Sequence, residues 1–464
     1  MFIRRIIVIA IVLGAAEIIL PAQPAPAVGT FAALPTARSL AQLSPPRAAL
    51  RLTATLSGHA KDIVEIAFSP DGETVATGSE DGLVRLWNTR TGERLATLSH
   101  AGRYEALKIV WSPDGRSIAV DGLSRHGVGD TQIWDARNGK VLTSLPAHYY
   151  ILDWSPNGRF LLSTNLERLA SIWDAKSGAL VATLEQDPPC PKRSFLKSLG
   201  ETDSCNNLTG ATGSFLADGR TILTTSWNHS AKLWDSETGK LKATLDLANV
   251  ARGVPYRGTV MLSPDRRSIA TYVRQEVILL DSQTGEVKST LESIGAPLAF
   301  SPNGQTLLTV VTEPKAKLRD EVELRLYDTV TAEVRTAFER IPAVTGSYWS
   351  PDGKVIVMVG SARTETRMLD TSTGRVKARL PYRGCTSDTL FGNGGCEPFI
   401  FSADGRITLK EKDPLRLWST ESGELLTTLD AASTPAVFSP TNPRVLVTRG
   451  KDKRTALIWE VSWQ

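Results

Sequence analysis

Short apolar segments alternate with polar turns along most of this chain. The pattern is clearest in segments 63–68, 74–77, 83–87 and 94–98, which are rich in β-branched and apolar residues. The clusters between these segments contain Pro, Asp, Thr and Gly, which supply the backbone angles that reverse a strand. The pattern therefore predicts four short antiparallel strands. Such a small unit cannot bury its apolar faces alone, so it requires neighbouring units.

The same unit is repeated along the chain, and its first turn, Ser69-Pro70-Asp71-Gly72, marks each copy. The other turns lie at residues 112–115, 155–158, 216–219, 263–266, 301–304, 350–353, 402–405 and, in a degraded form, 439–442. The third predicted strand of each copy ends in an aromatic residue or a leucine followed by a polar residue, as in Trp87-Asn88. The chain therefore contains nine copies.

These repeats resemble those of the WD40 family over residues 51–464, and nine in-phase copies are far more specific than a single Trp-Asp pair. The resemblance implies an all-β fold, a β-propeller of four-stranded antiparallel blades. We expect a single closed ring of nine blades. Since propellers usually have about four to eight blades, the alternatives are eight blades with one weak copy packed outside, or two partial rings.

The two ends of the repeat region complement each other. Residues 51–56 resemble the fourth strand of a unit but precede the first complete copy, whereas the last copy has only three predicted strands. In WD40 proteins the first strand commonly completes the last blade. The resemblance therefore implies that residues 51–56 pair with the C-terminal unit and close the ring, which removes two sheet edges.

The N-terminal region is typical of a secretory signal peptide. Arg4 and Arg5 precede an apolar run at residues 6–20, and residues 21–27 are rich in Pro and Ala. The run is shorter than the ~20 residues of a membrane span, so we favour a cleaved signal at residues 1–27 over a retained anchor. Residues 28–50 are rich in Ala, Pro and Leu and are predicted to be a tether. We expect an exported protein, either periplasmic or secreted.

The four cysteines lie in the two longest insertions between repeats, Cys190 and Cys205 in one and Cys385 and Cys396 in the other. In an exported protein this clustering predicts two disulfides, each within one insertion. Four cysteines allow three pairings, and free thiols are the remaining alternative. Neither pair has C-x-x-C spacing and neither insertion contains His, which argues against a metal site.

The polar residues of the first repeat point to a structural role. His59 follows Gly58, and the resemblance implies a buried network of His59, Asp81, Trp87 and a hydroxyl from Thr77 or Ser79. The chain contains none of the usual nucleophile, zinc-protease, phosphate-loop or calcium-loop motifs. We therefore predict no catalytic residue, no metal ligand and no cofactor.

Two classes of function follow from these observations. The resemblance implies a non-catalytic scaffold that binds a protein partner, and the missing catalytic motifs favour this class. The alternative is an exported propeller with hydrolytic or small-ligand-binding activity. The chain has 464 residues and a net charge of only +4, too small to indicate a nucleic-acid partner. We expect a monomer without a membrane span once the signal is removed.

The long insertions all fall between predicted strands two and three or between one repeat and the next, so they should share one face of the ring. Their expected bounds are residues 121–130, 185–213, 246–259, 312–321 and 381–398. Aromatic and basic residues often anchor interfaces. The candidate partner-binding residues are Arg125, Arg193, Phe195, Tyr256, Arg257, Lys315, Tyr382, Arg383 and Phe391.

Overall fold

All regular secondary structure in the described part of this chain is β-strand. The computed structural model describes residues 48–99, 106–123, 131–146, 149–165, 169–185, 212–225, 231–245, 260–273, 276–291, 297–311, 321–342, 344–360, 364–383, 398–410 and 414–463. These residues belong to one compact unit, Pro45–Gln464. Among them, no helix has the length and hydropathy that a membrane span would need.

The strands are numbered in chain order. Those up to the end of the third repeat are β1 Ala48–Leu56, β2 Ile63–Phe68, β3 Thr74–Ser79, β4 Leu83–Asn88, β5 Arg94–Ser99, β6 Ala106–Trp111, β7 Ser117–Leu123, β8 Thr131–Asp135, β9 Val141–Ser144, β10 Tyr149–Trp154, β11 Phe160–Asn165, β12 Ala170–Asp174 and β13 Leu180–Leu184. Those of the middle three repeats are β14 Thr212–Phe215, β15 Thr221–Thr225, β16 Ala231–Asp235, β17 Leu241–Leu245, β18 Met261–Leu262, β19 Ser268–Val273, β20 Glu276–Asp281, β21 Val287–Leu291, β22 Pro297–Phe300, β23 Thr306–Val311, β24 Glu321–Asp328, β25 Val334–Ala337 and β26 Ile341–Pro342. Those of the last three repeats are β27 Val344–Trp349, β28 Val355–Gly360, β29 Glu365–Asp370, β30 Val376–Arg383, β31 Phe399–Phe401, β32 Ile407–Lys410, β33 Leu415–Ser419, β34 Leu425–Leu429, β35 Ala432–Phe438, β36 Val445–Gly450 and β37 Ala456–Trp463.

Hydrogen bonding groups the strands into nine antiparallel sheets, the blades of a nine-bladed β-propeller. Seven blades pair four consecutive strands in sequence order, from β2-β3-β4-β5 to β31-β32-β33-β34. Blade 6 has the order β22-β23-β24-β25, and β26 pairs with β24 as a fifth strand. The predicted nine-bladed ring is confirmed.

The ninth blade is built from both ends of the described chain, in the order β1-β37-β36-β35. β1 pairs with β37 from Ala48 opposite Trp463 to Leu56 opposite Ala456. Strand pairing therefore begins at Ala48, within the segment expected to be a tether. Because β37 is covered by β1, its hydrogen-bonding edge is not exposed.

The apolar side chains of each blade are buried against the neighbouring blades. Leu86 of blade 1 packs in one cluster with Ile118 of blade 2. Leu56 and Val447 of blade 9 pack with Val75 of blade 1, which completes the ring. Full burial of such a side chain contributes about 1.5–3 kcal/mol, so a blade gains most of its stability from its neighbours.

Arg266 departs from the repeat and ties three blades together. It occupies the place that glycine takes in most of the equivalent turns and has a left-handed φ of 59°. Its Nη1 donates to Phe215 O in blade 4 at 3.0 Å and lies 3.0 Å from Asp153 Oδ2 in blade 3. Ser214 Oγ donates to the same carboxylate at 2.6 Å. The ion pair therefore offsets backbone strain that glycine would avoid.

Candidate functional site

Short and long connections leave the blades at opposite faces of the ring. The first-to-second and third-to-fourth connections, such as residues 69–73 and 89–93, are uniformly short. Since the strands of each blade are antiparallel, the other connections join strand ends on the opposite face. We call these the short-turn face and the insertion face. The five longest connections, all of the second kind, are residues 124–130, 185–211, 246–260, 312–320 and 384–398.

Four of these insertions are shorter than the sequence pattern indicated, because strand pairing extends into them. β7 continues to Leu123, β14 begins at Thr212, β24 begins at Glu321 and β30 continues to Arg383. Glu365 is still paired with Arg383 at the end of β30. Polar residues at strand ends can be paired through their backbones, so composition alone makes these strands too short.

Most candidate partner-binding residues lie outside the described residues, as do the four cysteines. These residues are Arg125, Arg193, Phe195, Tyr256, Arg257, Lys315, Phe391, Cys190, Cys205, Cys385 and Cys396. The disulfides and these surface anchors therefore stay predictions. Of the two candidates that remain, Arg383 ends β30, and only its backbone placement is described.

Tyr382 lies in the core instead of an exposed loop. Its side chain is 8% exposed, and its ring makes edge contacts with Phe399 and Trp418, both at 6.0 Å between centroids. Trp418 Nε1 donates to the Tyr382 hydroxyl at 3.4 Å, and Lys410 Nζ lies 5.0 Å from the Tyr382 ring. Tyr382 thus packs blade 7 against blade 8, and its replacement would disturb the fold.

The structure brings together the polar network expected in the first repeat. Thr77 Oγ1 accepts from Trp87 Nε1 at 2.9 Å and lies 2.8 Å from His59 Nε2. The other ring nitrogen, His59 Nδ1, lies 3.0 Å from Asp81 Oδ2. Thr77 is therefore the hydroxyl of this network. Ser79 Oγ instead donates to the carbonyl oxygen of Lys61 at 3.1 Å.

Arg85, which the sequence reasoning missed, also belongs to this network. Its Nη1 lies 3.1 Å from Asp81 Oδ2. Burial lowers the pKa of His59, and the Arg85 charge acts in the same direction against the opposing effect of Asp81. Burial alone would raise the pKa of Asp81, but hydrogen bonds from Ala60 N, His59 and Arg85 outweigh it and lower that pKa.

The network is built for structure instead of substrate binding. The His59 side chain is 0% exposed and that of Asp81 is 6% exposed. Both ring nitrogens of His59 are engaged by neighbouring groups. The imidazole is therefore enclosed and cannot reach a substrate. In the described part of the chain, no three His, Cys, Asp or Glu side chains are grouped as metal ligands would be.

The indole-to-hydroxyl contact recurs in later blades. The partners are Trp173 and Ser163 at 2.7 Å, Trp234 and Thr224 at 2.7 Å, and Trp459 and Thr448 at 2.9 Å. Alignment of the repeats could have predicted these contacts, because each hydroxyl residue occupies the position of Thr77. Blade 2 has Val120 there, and Trp134 Nε1 has no partner among the described residues.

The chain is similar to known repeat proteins over part of its length. A family model described as WD40, "WD domain, G-beta repeat", matches residues 50–88, 139–174 and 194–235. The Periodic tryptophan protein 2 homolog of Dictyostelium discoideum is 31% identical over 163 residues, which are 32% of this chain and 17% of that protein. WD repeat-containing protein SL1-17 of Schistosoma mansoni is 30% identical over 133 residues, which are 28% of this chain and 42% of that protein. This chain therefore spans less than half the length of these relatives.

A solved structure has a similar fold along most of the chain. The C-terminal WD40 domain of Sif2 superposes with a TM-score of 0.50 and 11% sequence identity. The superposition covers 89% of this chain and 98% of that domain. At this level of identity the likeness concerns the fold alone.

Proposed function

We propose that this chain is an exported, non-catalytic scaffold that binds a protein partner. The matched repeats and the WD-repeat relatives support a WD40 β-propeller family. In this proposal the signal-like residues 1–27 direct export and are removed. The insertion face then holds the partner, and the rest of the ring supports it.

The single observation that carries the proposal is the unequal length of the connections. Every long connection joins strand ends at the insertion face, whereas the short-turn face repeats the same two turns around the ring. Variable loops on a rigid scaffold are where binding residues concentrate. The enclosed His59 network also fits a structural role for the polar residues in the first repeat.

The insertions would supply the binding residues and also the disulfides that restrict the motion of these loops. Residues 185–211 contain Arg193 and Phe195, and residues 384–398 contain Phe391. A disulfide within each of these insertions would reduce the conformational entropy lost when the loop binds a partner. The buried Tyr382 is left out of the contact surface because its ring is part of the core.

The test compares two triple variants of the full chain. Arg193→Ala, Phe195→Ala and Phe391→Ala alter the insertion face. Arg90→Ala, Arg137→Ala and Lys176→Ala alter exposed side chains of the short-turn face and serve as the control. After chemical crosslinking in the exported fraction, quantitative mass spectrometry should find partner proteins reduced about tenfold or more for the first variant only.

The melting temperatures of both variants should match that of the unaltered chain. Equal partner recovery with the insertion-face variant, together with a loss in the control variant, would reverse the assignment of the faces. Recovery of no crosslinked protein with the unaltered chain would contradict a scaffold role.

A further inference from the structure

The outer strand of blade 7 carries an unusual row of basic side chains. Arg375, Lys377 and Arg379 alternate along β30 and its preceding turn, and all three are exposed. Arg367 of β29 lies directly opposite Arg379. Among the described residues, no acidic side chain forms an ion pair with any of these four groups.

The neighbouring blades show what blade 7 lacks. The base that corresponds to Lys377 is paired in each of the three preceding blades, and the pairs are Lys242–Asp235 at 3.7 Å, Lys288–Asp281 at 3.1 Å and Arg335–Asp328. In blade 7 the corresponding acid, Asp370, accepts from Ser372 Oγ at 2.7 Å and Thr373 Oγ1 at 3.0 Å, and no ion pair joins it to Lys377 among the described residues. In blade 7, Lys377 is therefore present without the ion pair that its equivalents form.

Arg367 also lacks an ion pair that two of its equivalents have. The corresponding Arg325 lies 2.7 Å from Glu323, and Arg85 lies 3.1 Å from Asp81. Arg367 Nε is buried without a hydrogen-bond partner in the described structure. Like charges directly opposite each other on antiparallel strands are destabilising. An anion beside Arg379 on the outer edge of β30 would reduce this repulsion.

The outer edge of β30 is also available for backbone hydrogen bonds. The strand ends its sheet, in the order β27-β28-β29-β30, and pairs only with β29 within the described structure. Ala378 faces blade 8, since a Cβ added to Gly423 would lie 2.0 Å from the Ala378 Cβ. Lys377 and Arg379 therefore point to the opposite face of the strand, about 7 Å apart along it.

We propose that β30 binds an extended acidic segment of a partner protein, which adds to blade 7 as a fifth strand. Acidic residues at every second position of that segment would lie opposite Lys377 and Arg379, while its backbone pairs with residues 376–380. Backbone hydrogen bonds supply affinity and alternate side chains supply specificity in this mode of recognition. The site lies on the outer rim, so it does not depend on the function proposed for the insertion face.

The test uses the full chain and a fluorescent, end-blocked octapeptide of alternating Glu and Thr. A peptide with the same composition, four Glu followed by four Thr, controls for spacing, and inorganic polyphosphate controls for charge alone. The alternating peptide should bind at least about fivefold more tightly than the block peptide at fixed ionic strength. It should also slow hydrogen exchange at the amides of residues 376–380.

A charge-reversed variant locates the site. Arg375→Glu, Lys377→Glu and Arg379→Glu together should weaken binding of the alternating peptide about tenfold or more. The control, Arg90→Glu with Arg137→Glu and Lys176→Glu, changes the total charge equally and should have an effect under about twofold. The milder Lys377→Ala with Arg379→Ala serves if the first variant does not fold.

Three results would overturn the proposal. The first is that the alternating peptide does not bind. The second is that the charge-reversed and control variants weaken binding of this peptide equally. The third is that the block peptide or polyphosphate binds as tightly as the alternating peptide, without protection of the amides in β30. The last result would mark the strand as a general anion patch.

Discussion

The hydroxyl of Thr77 shows how one side chain determines whether a neighbouring indole has a hydrogen-bond partner. It contacts His59 and accepts from Trp87, whereas Val120 leaves the indole of Trp134 without a partner in the described structure. Thr77 pairs with the residue two before Trp87, and Val120 pairs with the residue two before Trp134. A hydroxyl at position 120 would thus reach the indole.

Val120→Thr should therefore stabilise the protein. A new hydrogen bond to Trp134 Nε1 is worth about 1 kcal/mol of unfolding free energy, measured by chemical denaturation. The reverse change, Thr448→Val, should cost about 1–3 kcal/mol because it leaves Trp459 Nε1 unsatisfied. Val357→Thr, a buried change in blade 7 and away from Trp134 and Trp459, should destabilise. If Val120→Thr also destabilises to the same degree, the indole does not use the added hydroxyl.

At the scale of the element, β1 is the strand on which closure depends. It supplies the outer strand of blade 9, and Leu56 at its end is 1% exposed. A Cβ added to Gly92 of blade 1 would lie 2.6 Å from the Ala54 Cβ, so the turn of blade 1 also rests on β1. The strand therefore contacts both sides of the junction between the first and last repeats.

Deleting residues 49–56 should lower the unfolding free energy by more than about 3 kcal/mol, because it removes a buried leucine and a full row of strand hydrogen bonds. The matched control is Arg51→Ala, which removes the exposed ion pair with Glu460 and should cost less than about 1 kcal/mol. Thermal melting compares the two. An unchanged melting temperature after the deletion would mean that the ring does not need β1.

At the scale of the whole molecule, we propose export with two disulfides, each within one insertion. Mass spectrometry of the mature protein should find residues 1–27 removed and Cys190 linked to Cys205 and Cys385 to Cys396. The two bonds close loops of 16 and 12 residues, and each is worth about 3 kcal/mol in the chain-entropy model, so reduction should lower the melting temperature. Free thiols on a chain that still begins at Met1 would contradict this proposal.

The regular parts of the fold were predictable, and the local departures were not. β2 was placed at residues 63–68, as observed, because its apolar pattern and the turn after it are both local. The family resemblance implied Thr77 or Ser79 as the hydroxyl beside His59, and the structure shows that it is Thr77. The burial of Tyr382 did not, since it depends on Phe399 and Trp418 of the next blade.

By itself, the sequence determined the blade, the number of repeats and the all-β class, because strand period and turn residues act over a few positions. Only the tertiary structure decided which polar residues meet. Arg266 and Asp153 are 113 positions apart. Each differs from the residue usual at its place in the repeat, and the ion pair between them accounts for both differences. Lys377 and Arg379 of β30, which have no ion-pair partner among the described residues, are likewise defined by what surrounds them. Contacts between repeats depend on how the blades stack, and no local pattern records that.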